Sequence, residues 1–203
     1  QIHIVYLHHF CDILPLVSSI LSNGMCGLID VDINQKQLTL SARGSAYAGV
    51  DYGQVALSGT PKEGQTLEEV RDLLLQEIEK LCRGEWDESL IEASIANNKL
   101  WEMSGLEDNR SRAEMFVDAF IADLKWESVV NELERLEKVS KEDIVKWAQE
   151  RLRADNYAII YKRQGEDTTQ KKIEKPQITP ISTNRDARSA FLKAAQNSVV
   201  APL

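Results

Sequence analysis

Histidines 3, 8 and 9 are the only imidazoles in the 203-residue chain, so any histidine-dependent chemistry has to use its first few residues. His8 and Asp12 stand four apart, a spacing that puts two metal ligands on one helix face. No third ligand accompanies them, and Pro15 argues for a helix that begins later. Solvated histidines in a terminal stretch are therefore the simpler expectation. The carboxylates Glu68, Glu69, Glu77, Glu79, Glu85, Asp87 and Glu88 cluster in one stretch. General acid–base work needs two carboxyls at a defined separation with displaced pKa values, whereas a helix cap and a solvated helix face account for this set more simply. Asn109, Arg110 and Arg112, near a helix start, have the chemistry to hold an anion or a peptide terminus; ordinary surface or interdomain contacts are the simpler role. No serine sits in a G-x-S-x-G elbow, and Gly24, Gly27, Gly44 and Gly49 spell neither a phosphate loop nor a dinucleotide fingerprint. Cys11, Cys26 and Cys82 form an odd set without a CxxC or Cys/His ligand spacing and read as reduced core residues. The residues alone offer no catalytic, metal-binding or cofactor-binding constellation.

The elements that would position any chemistry are clearest from Gly53 to Lys99. Tyr52 to Gly59 alternates as a strand, and Thr60 to Gly64 is a turn. Thr66 with Glu69 forms a capping box for a helix over Leu67 to Cys82, whose apolar stripe is Leu67, Val70, Leu73, Leu74, Ile78 and Leu81, with Gly84 just past its end. Asp87 caps a further helix that uses Leu90, Ile91, Ala93, Ile95 and Trp101 as its apolar side. Upstream, Ile2 to Leu7 fits a strand end or a first helical turn. A helix from Cys11 or Asp12 carries Ile13, Leu14, Val17, Ile20 and Leu21 to a stop at Ser22-Asn23-Gly24. Gly27 to Ile33 is strand-like, and Leu38 to Tyr47 alternates with Leu38, Leu40, Ala42, Gly44 and Ala46 on one face, forming a hairpin with Tyr52 to Gly59. Downstream, Gly105 interrupts the helical pattern, which continues from Leu106 to Leu124 through Phe116, Val117 and Phe120. A shorter run covers Trp126 to Leu136, and Ser140 with Asp143 caps a helix through Ile144 to Leu152. Tyr157 to Lys162 is a last strand, apolar on both faces and therefore expected at the centre of a sheet. The order predicts an α/β two-layer domain over residues 1–165, with an antiparallel hairpin and helices largely on one face. Residues 166–203 read as a Pro-containing linker or an arm lying on a neighbour.

With 43% hydrophobic residues, the chain can bury one sizeable core. A net charge of −8 and a pI near 5.0 repel phosphate backbones and anionic lipid, which argues against nucleic-acid and membrane-surface binding. No apolar run approaches the ~20 residues needed to span a bilayer, and Ile2 to Leu7 is too short for a signal sequence. A start at Gln1, inside an apolar stretch, suggests a piece of a longer polypeptide.

Three segments in order, NGMCGLIDVDI (23–33), VALSGTPKEGQTLEEVRDLLLQEIEKLCRGEWDESL (55–90) and VSKEDIVKWAQERLRADNYAIIYKRQG (139–165), resemble the pitrilysin/insulinase-like zinc metallopeptidases and, within them, the presequence-protease branch. The resemblance covers nearly all of the chain. It implies the metallopeptidase-module (mitochondrial-processing-peptidase-like) fold, an α/β (α+β) two-layer arrangement with a mixed, largely antiparallel sheet. Such modules recur within one polypeptide as two bowl-like halves that close around a peptide, and the zinc motif H-x-x-E-H lies on a helix of the first module. This sequence departs from that pattern: it has no H-x-x-E-H, and His8-His9 is followed by Phe10, Cys11 and Asp12. No ligand or base transfers to any position here.

The resemblance therefore implies a non-catalytic module, most like the second. Its function would be to form structure and substrate chamber in a zinc-dependent metalloendopeptidase that degrades unfolded peptides. Zinc is expected in the parent's catalytic module, and the partners are other modules of the same polypeptide and unfolded peptide. The alternative is a module of a catalytically inactive family member that acts as a scaffold or assembly subunit. A third reading is a self-contained binding module that uses the Pro-rich arm.

Overall fold

The structure, a computed structural model, describes residues 1–9, 13–49, 51–165, 174–179, 184 and 187–198, with only the backbone for residues 7–9. The chain divides into two compact units, Gln1–Gln164 and Gly165–Leu203.

In the first unit the strands β1 (Ile2–His9), β2 (Ser41–Ala48), β3 (Tyr52–Thr60) and β4 (Tyr157–Tyr161) form one sheet in the order β2-β3-β1-β4, antiparallel at every pair. Alternation decides the faces. Ile2, Ile4, Tyr6, Val55 and Leu57 are buried under helices, while their sequence neighbours His3, Val5, Gln54, Ala56 and Ser58 turn the other way. Helices α1 (Leu14–Leu21), α2 (Leu67–Arg83) and α7 (Lys141–Arg151) pack on the buried face, and α3 (Ser89–Leu106), α4 (Asn109–Ile121), α5 (Trp126–Val130) and α6 (Glu132–Leu136) extend from them. This is the two-layer arrangement the sequence predicts.

The signals that position α2 act as read. Thr66 Oγ1 accepts the Glu69 N–H at 3.1 Å, Glu69 Oε2 accepts the Thr66 N–H at 2.8 Å, and Gly84 ends the helix at φ +69°. Val70, Leu74, Ile78 and Leu81 then face the core. The approach of α2 to the sheet is close: a Cβ added to Gly59 would stand 2.4 Å from Val70 Cγ1. Ser140 and Asp143 form the same reciprocal cap on α7.

Several expectations are corrected. Residues 28–34 are helical, not a strand, and end in a wide turn over Asp30–Asn34. The Asp30 carboxylate explains this. It is buried and accepts the N–H groups of Asn23 and Gly24 at 2.8 Å each and the Ser22 hydroxyl at 3.1 Å, so it closes the loop after α1. Helix α1 begins at Leu14 with Pro15 in its first turn, where no hydrogen bond is lost, while Cys11 and Asp12 lie outside the described residues. Leu38 and Leu40 precede β2 and are exposed. Asp87 does accept the Ser89 N–H at 2.9 Å, although Glu88 occupies the cap position itself. Strand β4 is an edge strand, not a central one. Cys26 is exposed and Cys82 half-buried; both are free thiols. Trp101, expected on the apolar side of its helix, is 75% exposed.

In the second unit, α8 (Ala190–Asn197) is capped by Ser189, whose hydroxyl accepts the Leu192 N–H at 3.1 Å. Pro180 and residues 166–173 of the expected linker lie outside the described residues.

Candidate functional surfaces

Several of the residues whose types suggested chemistry are engaged in caps and local ion pairs. His8 lies in β1, so the helical premise of a His8–Asp12 pair is absent. Among the described residues, no group of three or more His, Cys, Asp or Glu side chains is placed to hold a metal ion. Of the carboxylates, Glu69 caps α2, Glu68 meets Arg163 at 3.2 Å, and Glu79 and Glu85 share Arg83. Backbone and hydroxyl donors from Thr66 hold the Glu69 carboxyl below its ordinary range, as expected of a cap. Asn109, Arg110 and Arg112 satisfy one another locally: Arg110 pairs with Glu114 at 2.7 Å, and Arg112 donates to the Leu106 carbonyl at 2.8 Å and to Asn109. They present no open anion site.

Glu77 is the exception to the solvated-face reading. It is 3% exposed, and Lys80 Nζ bridges its Oε1 at 2.9 Å to Asp32 Oδ2 at 2.5 Å. Its Oε2 is buried with no hydrogen-bond partner among the described residues. Burial pushes the Glu77 carboxyl up against the opposing pull of Lys80, whereas hydrogen bonds from Lys36 and Lys80 pull Asp32 down. A helical spacing of 77 to 80 was visible in the sequence, but burial of one end was not, because it depends on the turn at Asp30–Asn34 arriving over α2.

Two surfaces of the first unit are left uncovered. On consecutive helices α3 to α5, Trp101, Met103, Phe116, Phe120 and Ile121 are exposed, Phe120 by 86%, and Phe116 stacks on Trp126 at 4.2 Å between ring centroids. Apolar exposure on this scale marks a contact surface more often than a solvent face. The second surface is the sheet face opposite the helices. Its rows follow from register: Arg43, Ser58, His3 and Ile160 stand side by side across the four strands, followed by Ser45, Ala56, Val5 and Ala158. Most of these side chains are short, so the face is a shallow floor. No described helix of the first unit covers it.

No protein-family model matches the sequence, and no curated protein matches it. Solved structures do match. A protease from Helicobacter pylori superposes with a TM-score of 0.68 at 18% identity, over 78% of this chain and 40% of that one. The inactive peptidase domain of a candidate zinc protease from Bordetella parapertussis gives 0.68 at 14%, over 84% and 96%. A peptidase M16 inactive domain from Pseudomonas fluorescens gives 0.65 at 12%, over 78% and 39%. The chain thus spans about 40% of the first and third of these proteins and nearly all of the second. At such identities the likeness is one of fold, and the fold of this chain is that of an M16-type peptidase module.

Proposed function

We propose that this chain is a non-catalytic module of a zinc-dependent metalloendopeptidase of the pitrilysin/insulinase-like family, related to its presequence-protease branch, and that it forms part of the chamber wall around an unfolded peptide. The observation that carries this reading is the two-sidedness of the first unit, with an apolar helical surface on one side and a bare, small-residue sheet face on the other. The helical surface suits permanent contact with another module of the same polypeptide. The sheet face suits transient contact with an extended chain. Residues 166–203 serve as the connection towards the next module. Zinc, base and attacking water come from the catalytic module. The expected outcome for the isolated chain is no stoichiometric zinc by metal analysis and no cleavage of an unstructured peptide. One tightly bound zinc per chain with chelator-sensitive peptidase activity would falsify the reading.

A second reading is that the parent is itself inactive and serves as a scaffold or assembly subunit. It is favoured by the description of two similar structures as inactive domains. The polypeptide upstream of Gln1 separates the two: an H-x-x-E-H motif there supports the active parent, and a full-length parent without it supports the scaffold.

A further inference from the structure

We infer that the uncovered sheet face selects extended peptide segments that carry carboxylate side chains about five residues apart. This rests on the proposed reading of that face as peptide-facing, and it names the class of peptide. The chain as a whole is acidic, with 32 Asp and Glu against 24 Lys and Arg, yet among the described side chains of this face there is no carboxylate. The alternation of the strands places Arg43 of β2 on it, and Lys162, which exchanges backbone hydrogen bonds with Gln1 just past β4, continues the same alternation at the far edge. Neither cation has an ion-pair partner among the described residues. The neighbouring cations on the helix side of the sheet are engaged there: Arg163 by Glu68 at 3.2 Å and Arg71 by Asp72 at 2.7 Å.

The two free cations lie on opposite edges of the sheet. Three inter-strand steps of ~4.8 Å and two residues of strand at ~3.3 Å each separate them by roughly 16 Å. An extended peptide covers that distance in about five residues. The floor between them is formed by Ser58 and Thr60 of β3 and His3 of β1, and Ile160, 57% exposed, offers one apolar contact beside Lys162. A peptide crossing the strands obliquely would therefore meet a cation at each end and no repelling charge between. Contacts of this kind are solvent-exposed, so they govern selection and encounter rate and are sensitive to salt.

The test uses the full 203-residue chain and three dye-labelled unstructured peptides of equal length, with glutamate, lysine or serine at two positions five apart. Fluorescence anisotropy at low ionic strength should show the glutamate peptide binding about tenfold more tightly than the lysine peptide, and the preference should vanish in 0.5 M salt (about a 4 Å screening length). Arg43→Glu with Lys162→Glu should reverse the preference. Arg43→Gln with Lys162→Gln should abolish it, with far-ultraviolet circular dichroism confirming that both variants fold. Equal binding of the three peptides, a preference for lysine, or a preference unchanged by charge reversal overturns the selectivity while leaving the peptide-facing reading intact. Failure of all three peptides to bind overturns both.

Discussion

The side-chain amide of Asn34 mimics a strand for Ala42: Asn34 Nδ2 donates to the Ala42 carbonyl at 2.8 Å and Asn34 Oδ1 accepts the Ala42 N–H at 2.9 Å. Ala42 lies on β2, an outer strand, and these two groups point away from β3. Four residues on, in the same outward set, Ser18 Oγ accepts the Ala46 N–H at 3.3 Å. The β2 edge is thus partly closed by side chains, which lowers its capacity to pair with another chain. The opposite edge is treated differently. Because Gln1 and Lys162 exchange both their backbone bonds, alternation directs the peptide groups of Tyr157, Ile159 and Tyr161 outward from β4.

Replacing Asn34 by alanine removes both bonds to Ala42 while leaving the wide turn's backbone bonds in place. The expected loss is about 1–3 kcal/mol of unfolding free energy, from two part-buried backbone groups left to find water. Self-association should rise at the same time. Urea denaturation followed by circular dichroism measures the first and light scattering the second. A variant as stable and as monodisperse as the parent would show that the amide merely occupies an already solvated edge.

Gly59→Ala tests how closely α2 lies on the sheet. The new methyl would stand 2.4 Å from Val70 Cγ1 and 3.3 Å from Leu74 Cδ1, both fully buried, so the helix or the strand has to move. Overpacking of this kind costs about 1–3 kcal/mol. Gly59→Ala combined with Val70→Ala should recover part of that loss, and a melting temperature for the pair no higher than for Gly59→Ala alone would contradict the contact.

Local signals were the legible part of this fold. Thr66/Glu69 and Ser140/Asp143 each announce a helix start through side chains that reach their own backbone, and alternation from Ser41 to Thr60 announces the hairpin, because these interactions span few residues. What escaped the sequence depended on distant partners. Gly27 to Ile33 reads as a strand until the Asp30 carboxylate is seen gathering the Asn23 and Gly24 amides. YAIIYK reads as central, yet β4 sits at an edge where Ile160 is exposed. Trp101 and Phe120 read as core because helical periodicity reports an apolar face without saying what covers it. The cationic sheet face was hidden for a similar reason, since Arg43 and Lys162 are 119 positions apart and only the register brings them to one surface.

Trp101→Ser and Phe120→Ser should distinguish a covered surface from a core. Both side chains are largely exposed within the first unit, so truncating them should change the isolated chain's stability by no more than about 0.5 kcal/mol. Binding of an apolar dye and aggregation on warming should both decrease. On the proposed reading, in a polypeptide that carries a neighbouring module, the same changes should weaken its attachment, read as earlier proteolytic separation of the two. A loss of several kcal/mol in the isolated chain would mean that these residues support the fold itself.

Glu77 gives the structure a pH dependence of defined sign. Burial, only partly offset by Lys80, raises its folded pKa above the unfolded carboxyl's value of about 4.3. Between those two values the folded state retains a proton that the unfolded state has released. The Glu77 contribution to stability is therefore greatest below the unfolded pKa and declines as pH rises to the folded one, after which it is flat. The exposed caps Asp108 and Asp143, whose carboxyls are held low by donors from Ser111 and Ser140, act in the opposite direction and lose their contribution as pH falls. Glu77→Gln keeps the shape and an acceptor for Lys80 but cannot ionise. The difference in unfolding free energy between the glutamine variant and the parent should therefore increase with pH across this window and level off above it, the cap terms cancelling in the difference. Urea midpoints at pH 4, 6 and 8 measure it. Parallel curves for Glu77→Gln and the parent would place the Glu77 carboxyl in water.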